Sequence, residues 1–209
     1  FSYWSCIACS GPPAMAYTFE PRAARGEVRS VPVQGTLKDG LAVVMDQYTD
    51  ADVASIHRLL NIAIEEGNSY PYEELMSLES CRAYYLSHDC FVLRSVETQE
   101  VIGSVYIKPN YPGRCSHICN GGFLVDPKFR GRGAGRFLAV HYLRLAWELG
   151  YRRVMFNLVF VTNQVSLKLW DSLGFQRVGL VPEAGRLKGH EGYIDAVQFT
   201  YDLTKPQPT

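Results

Sequence analysis

One stretch of the sequence reads Val125-Asp126-Pro127-Lys128-Phe129-Arg130-Gly131-Arg132-Gly133-Ala134-Gly135-Arg136. An apolar run typical of a β-strand ends at its first residue, and a helical pattern of apolar residues follows it. Glycines allow the backbone to curl so that successive N–H groups point inward, and the start of a helix adds the positive end of its dipole. The stretch therefore predicts a loop that binds phosphate oxygens. A turn that is merely rich in glycine and arginine is the alternative.

Three phosphate-binding patterns can be compared with this stretch. A nucleotide-triphosphate loop requires lysine followed by serine or threonine after its last glycine, whereas Arg136-Phe137 stands there. A dinucleotide loop spaces its glycines as G-x-G-x-x-G and needs an acidic residue at the end of the next strand. Here the third glycine comes one residue early, and residues 154–161 contain no acid. The remaining pattern, R-x-x-G-x-G, is matched by Arg130, Gly133 and Gly135.

Length and composition predict one α/β domain. The chain has 209 residues, which suits a single domain with an additional arm, and 21 acidic residues balance 21 basic ones. A balanced charge gives no general electrostatic reason to expect nucleic acid or membrane as a partner. No apolar run approaches the roughly 20 residues that span a bilayer. We therefore expect a cytoplasmic protein. A mitochondrial location is the alternative, because arginines lie among alanines near the beginning of the chain.

The cysteines predict neither a disulfide framework nor a metal site. Six of them are few for this length, and we interpret them as reduced thiols. Cys6 and Cys9 have the spacing of half a metal site, but no second pair of ligands stands nearby. Cys115, His117 and Cys119 alternate and would share one face of a strand. Buried thiols beside a histidine are commoner than zinc there, so no metal is expected.

The chain divides into an arm, a domain and a tail. Residues 1–38 lack sustained periodicity and are predicted to form an extended arm. Residues 39–204 are predicted to form the domain, and residues 205–209 a polar tail. Within the domain we expect strands at residues 41–45, 90–95, 101–108, 117–125, 154–161, 175–181 and 194–201. We expect helices at residues 50–66, 73–86, 137–149 and 165–173.

Two motifs together resemble the GNAT superfamily of N-acetyltransferases. The first is the R-x-x-G-x-G loop, and the second is Asn163 at the start of a short helix that ends in Gly174-Phe175. The resemblance extends over about residues 41–203. It implies an α/β fold of the α+β type, with a mixed, mostly antiparallel central sheet that is splayed between its fourth and fifth strands and flanked by helices. It also implies an acetyltransferase, acetyl-CoA (coenzyme A) as its cofactor, and a homodimer.

The resemblance assigns the coenzyme to the stretch from Arg130 to Arg136, called the glycine-arginine loop, and to the gap between the parting strands. The backbone N–H of Phe123 or Val125 would face the thioester carbonyl, so both residues are predicted to be catalytic. Gly121-Gly122 interrupt the same strand and predict a bulge or a close backbone approach. The predicted coenzyme contacts are Phe123, Leu124, Val125, Arg130, Gly131, Arg132, Gly133, Ala134, Gly135, Arg136, Asn163 and Trp170.

The acceptor site is predicted around asparagines. The segments that contain Asn120, Asn157 and Asn163 are, within the family, most similar to the fungal enzymes that acetylate the proline analogue azetidine-2-carboxylate. This resemblance implies that Asn120 and Asn157 hold the carboxylate of the acceptor and are catalytic. Amide donors suit a carboxylate on chemical grounds too, and two asparagines that bridge a strand gap through water are the alternative. Tyr70 and Tyr72 are further candidates for acceptor contact, with packing beneath a loop as the alternative. Trp170 is predicted to pack against the pantetheine of the coenzyme or to wall the acceptor pocket.

The predicted reaction is acetyl transfer from acetyl-CoA to the amine of a small amino acid or a proline-like cyclic amino acid. Such a reaction would serve the detoxification of a toxic analogue or proline- or arginine-related metabolism. A protein-directed enzyme or an acetyl-CoA-sensing module is the alternative. Trp170 stands where many family members have a tyrosine that protonates the departing thiolate, and indole cannot do so at neutral pH. No Glu or His stands out as a base either, so the sequence assigns neither a general acid nor a general base.

Overall fold

The computed structural model of the chain describes residues 26–205, which fold around an eight-stranded sheet. The strands are β1 (Val33–Thr36), β2 (Ala42–Gln47), β3 (Asp89–Ser95), β4 (Val101–Pro109), β5 (Ile118–Val125), β6 (Arg153–Phe160), β7 (Gln176–Gly185) and β8 (Ile194–Asp202). The helices are α1 (Val53–Glu66), α2 (Leu78–Tyr84), α3 (Ala134–Glu148) and α4 (Gln164–Ser172). The strand order is β1-β2-β3-β4-β5-β6-β8-β7, and among these described strands only β5 and β6 pair in parallel. The predicted fold class is confirmed.

The sheet splays between β5 and β6. These strands pair only at Ile118–Arg153 and Cys119–Val154, and the described chain shows no further pairing between them. They are the fourth and fifth strands of the prediction, which did not include β1. The predicted position of the splay is therefore confirmed, and the gap opens toward the start of α3.

The bulge predicted at Gly121-Gly122 is not found, because β4 and β5 pair without any change of register. The two glycines instead provide close approach. A Cβ atom on Gly121 would lie 2.5 Å from the ring of Tyr142, and one on Gly122 would lie 2.3 Å from the ring of Tyr106. A register change does occur on the other side of the gap, where β6 shifts against β8 between Phe156 and Val159.

Two hydrophobic clusters hold the helices on the sheet. Leu138 and Tyr142 of α3 belong to the larger cluster and are fully buried. Ile56 and Leu60 of α1 are fully buried in a second cluster, together with residues of α2 and the loop after α1. The spacing of four between the members of each pair places them on one helical face. Gly67, with a left-handed φ of 63°, ends α1 as predicted.

The beginning of the sheet and the length of α2 differ from the prediction. β1 lies inside the segment predicted to be an extended arm, and it pairs with β2. Its Gly35 leaves room for the ring of Phe137, which would lie 2.4 Å from a Cβ atom. A short edge strand with an internal glycine has no clear alternation, so the sequence did not reveal it. α2 begins five residues later than predicted because the Ser77 side chain accepts from the Ser80 N–H and caps the helix. Residues 1–25, with Cys6 and Cys9, and residues 206–209 lie outside the described part of the chain.

Neither a membrane span nor a metal cluster is found among residues 26–205. Within them, no helix combines the length and the apolar character that crossing a bilayer requires. The same residues contain no group of three or more His, Cys, Asp or Glu side chains placed to hold a metal ion. Cys115 is exposed in a short turn and His117 precedes β5, so the alternation with Cys119 on one strand face is not realised.

A buried ion pair joins the start of α1 to β3. Asp52 accepts from Arg94, and the two side chains are only 7% and 13% exposed. The carboxylate also accepts from the N–H and hydroxyl of Thr49. Burial opposes ionisation of Asp52, but the hydrogen bonds from Arg94 and Thr49 outweigh it and lower the pKa below its usual value.

We expect Asp52→Ala to lower the free energy of unfolding by about 3–5 kcal/mol at pH 7, because Arg94 would be left buried without its partner. A lowered folded-state pKa means that the pair stabilises the fold fully above the unfolded pKa of about 4 and loses that effect as the pH falls below it. Urea denaturation at pH 7 and at pH 3 measures both effects. Asp50→Ala removes an exposed carboxylate that pairs with Arg82, and this control should cost less than about 1 kcal/mol. An equal loss for Asp52→Ala at both pH values would contradict the assignment.

Candidate functional site

A cavity of about 280 Å³ lies where β5 and β6 part. Both strands, α4, β4, α2 and the loop after α1 contribute to its walls. The structure brings six of the predicted site residues into this lining, namely Tyr70, Asn120, Phe123, Asn157, Asn163 and Trp170. Tyr72 lies behind the wall, with its ring centroid 5.1 Å from that of Tyr84, which does line the cavity.

The backbone of β5 directs alternate N–H groups into the gap. The N–H of Asn110 donates to the Ile118 carbonyl, and the N–H of Asp126 donates to the Ile102 carbonyl, so even-numbered residues of β5 bond to β4. The N–H groups of Phe123 and Val125 therefore face away from β4, into the gap. Leu124 differs, because its N–H faces β4 and its side chain is buried in the second cluster. The predicted coenzyme contact of Leu124 is therefore not supported by its placement.

Asn120 presents an amide donor to the cavity. Its Oδ1 accepts from the N–H of Gly121 at 2.8 Å, which satisfies one of the N–H groups that face the gap. Among residues 26–205, no acceptor lies within hydrogen-bond distance of its Nδ2. The side-chain oxygen is thus fixed by the strand, while the amide hydrogens remain available to a ligand.

Asn157 forms a reciprocal pair with Asn110, a residue that the sequence did not single out. The Nδ2 of Asn157 donates to Oδ1 of Asn110 at 2.7 Å, and Nδ2 of Asn110 donates to Oδ1 of Asn157 at 3.0 Å. Each amide nitrogen carries two hydrogens, so one donor of Asn157 is left for a ligand. Among the described residues, the direct partner of Asn157 is thus Asn110, whereas the alternative interpretation joined Asn157 to Asn120 through water. No spacing signal connects Asn110, which follows β4, with Asn157 of β6.

The glycine-arginine loop forms a left-handed turn that leads into α3. Gly131 and Gly133 have φ values of 78° and 97°, which only glycine adopts readily. The N–H of Phe137 donates to the Gly133 carbonyl, so the first N–H groups of α3, from Ala134 onward, have no partner within the helix. A Cβ atom on Gly135 would meet only a Val125 methyl group, at 4.0 Å. The loop therefore offers an open cradle of N–H donors.

Each of the three arginines of the loop is held by a neighbouring side chain. Arg130 makes two hydrogen bonds to Glu66, at 2.8 and 3.0 Å, and Arg132 donates to Asp39 at 3.0 Å. Arg136 donates to the Ser172 hydroxyl at 3.1 Å. Exposed ion pairs contribute about 0–1 kcal/mol, so these arginines can exchange their partners for a phosphate group. The loop is also tied to the segment after β1, because the Lys38 N–H donates to the Arg132 carbonyl at 2.9 Å.

Aromatic side chains close the bottom of the gap. The ring centroid of Trp170 lies 5.0 Å from that of Phe123 and 4.6 Å from that of Phe156. Asn163 caps α4, where its side chain accepts from the Ser166 N–H at 3.1 Å. Trp170 is therefore a packed wall of the cavity. The side-chain oxygen of Asn163 is engaged by Ser166, so this side chain can offer its amide hydrogens to a ligand.

Three tyrosines form the wall opposite Trp170. Burial raises the pKa values of Tyr70, Tyr84 and Tyr106, so their hydroxyl groups stay neutral at physiological pH. The hydroxyls of Tyr84 and Tyr106 lie 3.4 Å apart. The hydroxyl of Tyr70 is buried and has no hydrogen-bond partner among the described residues. A buried hydroxyl without a partner costs about 1–3 kcal/mol, which indicates that a polar ligand belongs there.

The fold and the site agree with one class of protein. Residues 54–175 match the Acetyltransferase (GNAT) family, and the chain belongs to that family. It is an N-acetyltransferase that takes its acetyl group from acetyl-CoA, as predicted. A relative, N-acetyltransferase aca1 of Schizosaccharomyces pombe, is 41% identical in an alignment of 165 positions that covers 71% of this chain and 79% of that protein.

Solved structures show the same fold. A GCN5-related N-acetyltransferase from Kribbella flavida has a TM-score of 0.72 and 31% identity, over 77% of this chain and 97% of the other. A phosphinothricin acetyltransferase from Sinorhizobium meliloti, solved in complex with acetyl-CoA, has a TM-score of 0.71 and 18% identity, over 79% of this chain and 93% of the other.

The residues of the loop and gap fit the coenzyme. The open space at Gly135 and the N–H groups of the first turn of α3 suit a diphosphate, which binds well at a helix start. The gap leads from this cradle along the N–H groups of Phe123 and Val125 to the cavity. An extended thioester arm would thus find backbone donors along one strand and the acceptor cavity at its end.

Proposed function

We propose that this acetyltransferase acts on the amine of a small amino acid or of a proline-like cyclic amino acid, in detoxification of a toxic analogue or in proline- or arginine-related metabolism. The cavity of about 280 Å³ between β5 and β6, with the free amide donor of Asn120 in its wall, is the observation that carries the proposal. Pockets for drug-sized ligands are about 300–1,000 Å³, so this size supports a small acceptor. None of the residues that line the cavity is Asp or Glu, which disfavours polyamines.

We propose that the glycine-arginine loop holds the diphosphate of the coenzyme and that Asn163 and Trp170 contact its arm. The open turn at Gly131, Gly133 and Gly135 supports this placement. Two of the arginines would give up exposed carboxylate partners, and Arg136 has only a hydroxyl to give up. Charge-assisted bonds to phosphate are about twice as strong as neutral ones, so the exchange favours binding.

In the proposed reaction the chain orients the reactants and stabilises charge. Acetyl-CoA, when bound, supplies the acetyl thioester. The N–H groups of Phe123 and Val125 stabilise the negative charge that develops on the carbonyl oxygen, and preorganised donors of this type contribute about 3–4 kcal/mol each. Asn120 and Asn157 orient the acceptor through their amide hydrogens. Among the described residues, no Asp, Glu or His lines the cavity, so water held by backbone carbonyls is the proposed acceptor for the proton of the amine, and solvent is the proposed proton source for the departing thiolate, since Trp170 cannot supply it.

Thiol release from acetyl-CoA tests the acceptor class. We expect free amino acids, azetidine-2-carboxylate among them, to accelerate release and to be recovered as N-acetyl products by mass spectrometry. Spermidine serves as the control and should give no acceleration, because the cavity wall has no acidic side chain. Acetyl-CoA binding without acceleration by any small amine would contradict the proposal and favour a protein-directed or acetyl-CoA-sensing module.

We also propose that the enzyme is a cytoplasmic homodimer, with a mitochondrial location as the alternative. The family resemblance supports the dimer. The balance of 21 acidic and 21 basic residues supports a small-molecule partner rather than nucleic acid or a membrane. Light scattering on the preparation used for the assay measures the oligomeric state, and a monomeric mass would contradict the dimer.

A further inference from the structure

Lys108 is a buried cation beside the acceptor cavity. The residue is only 6% exposed and lies on β4, directly opposite Asn120 of β5. Its Nζ donates to the Tyr84 carbonyl at 3.1 Å. The same atom lies 4.0 Å from the ring centroid of Tyr84 and 4.4 Å from that of Tyr106. No Asp or Glu among residues 26–205 makes an ion pair with it.

Such a placement is unfavourable for the isolated fold. Removal of an ammonium group from water opposes its charge, and here burial lowers the pKa of Lys108 to about 8. One carbonyl and two ring faces compensate the lost water only in part. The side chain is still mostly charged at pH 7. Buried groups with strongly shifted pKa values beside a cleft cluster at functional sites, where a ligand can supply the missing partner.

The two tyrosine rings that contact the Lys108 ammonium group also line the acceptor cavity. Tyr84 and Tyr106 separate Lys108 from the cavity space, and the cavity wall itself has no charged side chain. The unpartnered hydroxyl of Tyr70 lies in the same wall, and it would be 2.7 Å from a Cβ atom on Gly122. Residues opposite each other on β4 and β5 share a face, so Lys108 and Asn120 act on the same side of the sheet.

We propose that Lys108 is a specificity-determining residue that favours acceptors with a carboxylate. Its ammonium attracts the carboxylate through the low-dielectric layer formed by the two tyrosine rings, while the Tyr70 hydroxyl and the Asn120 amide donate hydrogen bonds to it. Lys108 thus acts on the acceptor without touching it. This inference rests on the proposed function and names the group of the acceptor that the site recognises.

The Lys108→Met variant tests the inference because methionine keeps the length and removes the charge. Wild type and variant are assayed with azetidine-2-carboxylate and with azetidine-2-carboxamide. We expect kcat/KM for the carboxylate to fall by about 10- to 50-fold, mainly through KM, since a buried charge interacts strongly across a few ångströms. The value for the carboxamide should change by less than about twofold.

Further variants separate specificity from structure. Lys108→Arg keeps the charge and should retain the preference for the carboxylate. Lys205→Met removes the same charge from an exposed site and should behave as the wild type. Thermal unfolding of Lys108→Met should occur at an unchanged or higher temperature, because an unpaired buried charge is removed.

Two results would overturn the inference. An equal fall of kcat/KM for both acceptors would assign Lys108 a structural role only, and unchanged values for both would assign it no role in recognition. If the wild type acetylates neither compound, the proposed function fails as well. The wild-type assay thus distinguishes failure of the proposed function from failure of the inference alone.

Discussion

The Gly135→Leu variant is expected to lose acetyl-CoA binding while it keeps its fold. A side chain at this position meets little of the protein, since the nearest atom to a Cβ is a Val125 methyl group at 4.0 Å. It would instead fill the cradle in front of the first N–H groups of α3. Each hydrogen bond to a charged group that is lost costs about 1.5–3 kcal/mol, or about a 10- to 100-fold increase in Kd.

Calorimetric titration with acetyl-CoA measures this loss, and urea denaturation measures the fold. Because leucine favours a helix over glycine by about 1 kcal/mol, stability should be unchanged or higher. Arg144→Leu places the same side chain at an exposed position of α3 and should bind acetyl-CoA as the wild type does. Unchanged affinity in Gly135→Leu would show that the diphosphate does not lie in the loop.

The Asn120→Asp variant is expected to bind acetyl-CoA normally and to lose transfer to carboxylate acceptors. An aspartate oxygen can still accept from the N–H of Gly121, so β5 keeps its conformation. The amide donor, however, is replaced by a negative charge that repels the carboxylate of the acceptor. Loss of one bond to a charged group and the added repulsion together predict a fall in kcat/KM of about 100-fold or more.

Steady-state kinetics with azetidine-2-carboxylate measures this fall. Asn68→Asp adds the same charge to the exposed loop before Tyr70 and should have little effect. Together with Gly135→Leu, the variant separates donor binding from acceptor binding. If kcat/KM is unchanged in Asn120→Asp, the carboxylate is bound elsewhere, and the role of Asn120 is limited to its hydrogen bond with the Gly121 N–H of β5.

Most of the fold was readable because its elements have strong periodic signals. α1 has apolar residues at helical spacing and a terminal glycine, and β3 and β4 are long apolar runs. β1 has neither signal: its four residues alternate weakly, and Gly35 is explained only by the ring of Phe137, about a hundred residues away in sequence. Contacts between distant segments decide such elements, and a single sequence does not contain them.

The site was readable where a motif spans adjacent residues. The loop from Arg130 to Arg136 and the gap beside Phe123 follow from local patterns and the family resemblance. The pairing of Asn110 with Asn157 does not, because the bend after β4 and the strand β6 come together only in the fold. Lys108 did leave a signal, since a lysine at the end of an apolar strand must find a partner or a use.

The hydrogen bond from the Lys38 N–H to the Arg132 carbonyl fastens the glycine-arginine loop to the hairpin of β1 and β2, some ninety residues earlier in the chain. We therefore expect the motif R-x-x-G-x-G alone to be insufficient for the proposed coenzyme binding. A peptide with this motif in another protein would contain the glycines but would lack the hydrogen bond from Lys38 that supports the turn. We therefore expect the proposed diphosphate site to require the hairpin as well as the loop when it is built into another scaffold.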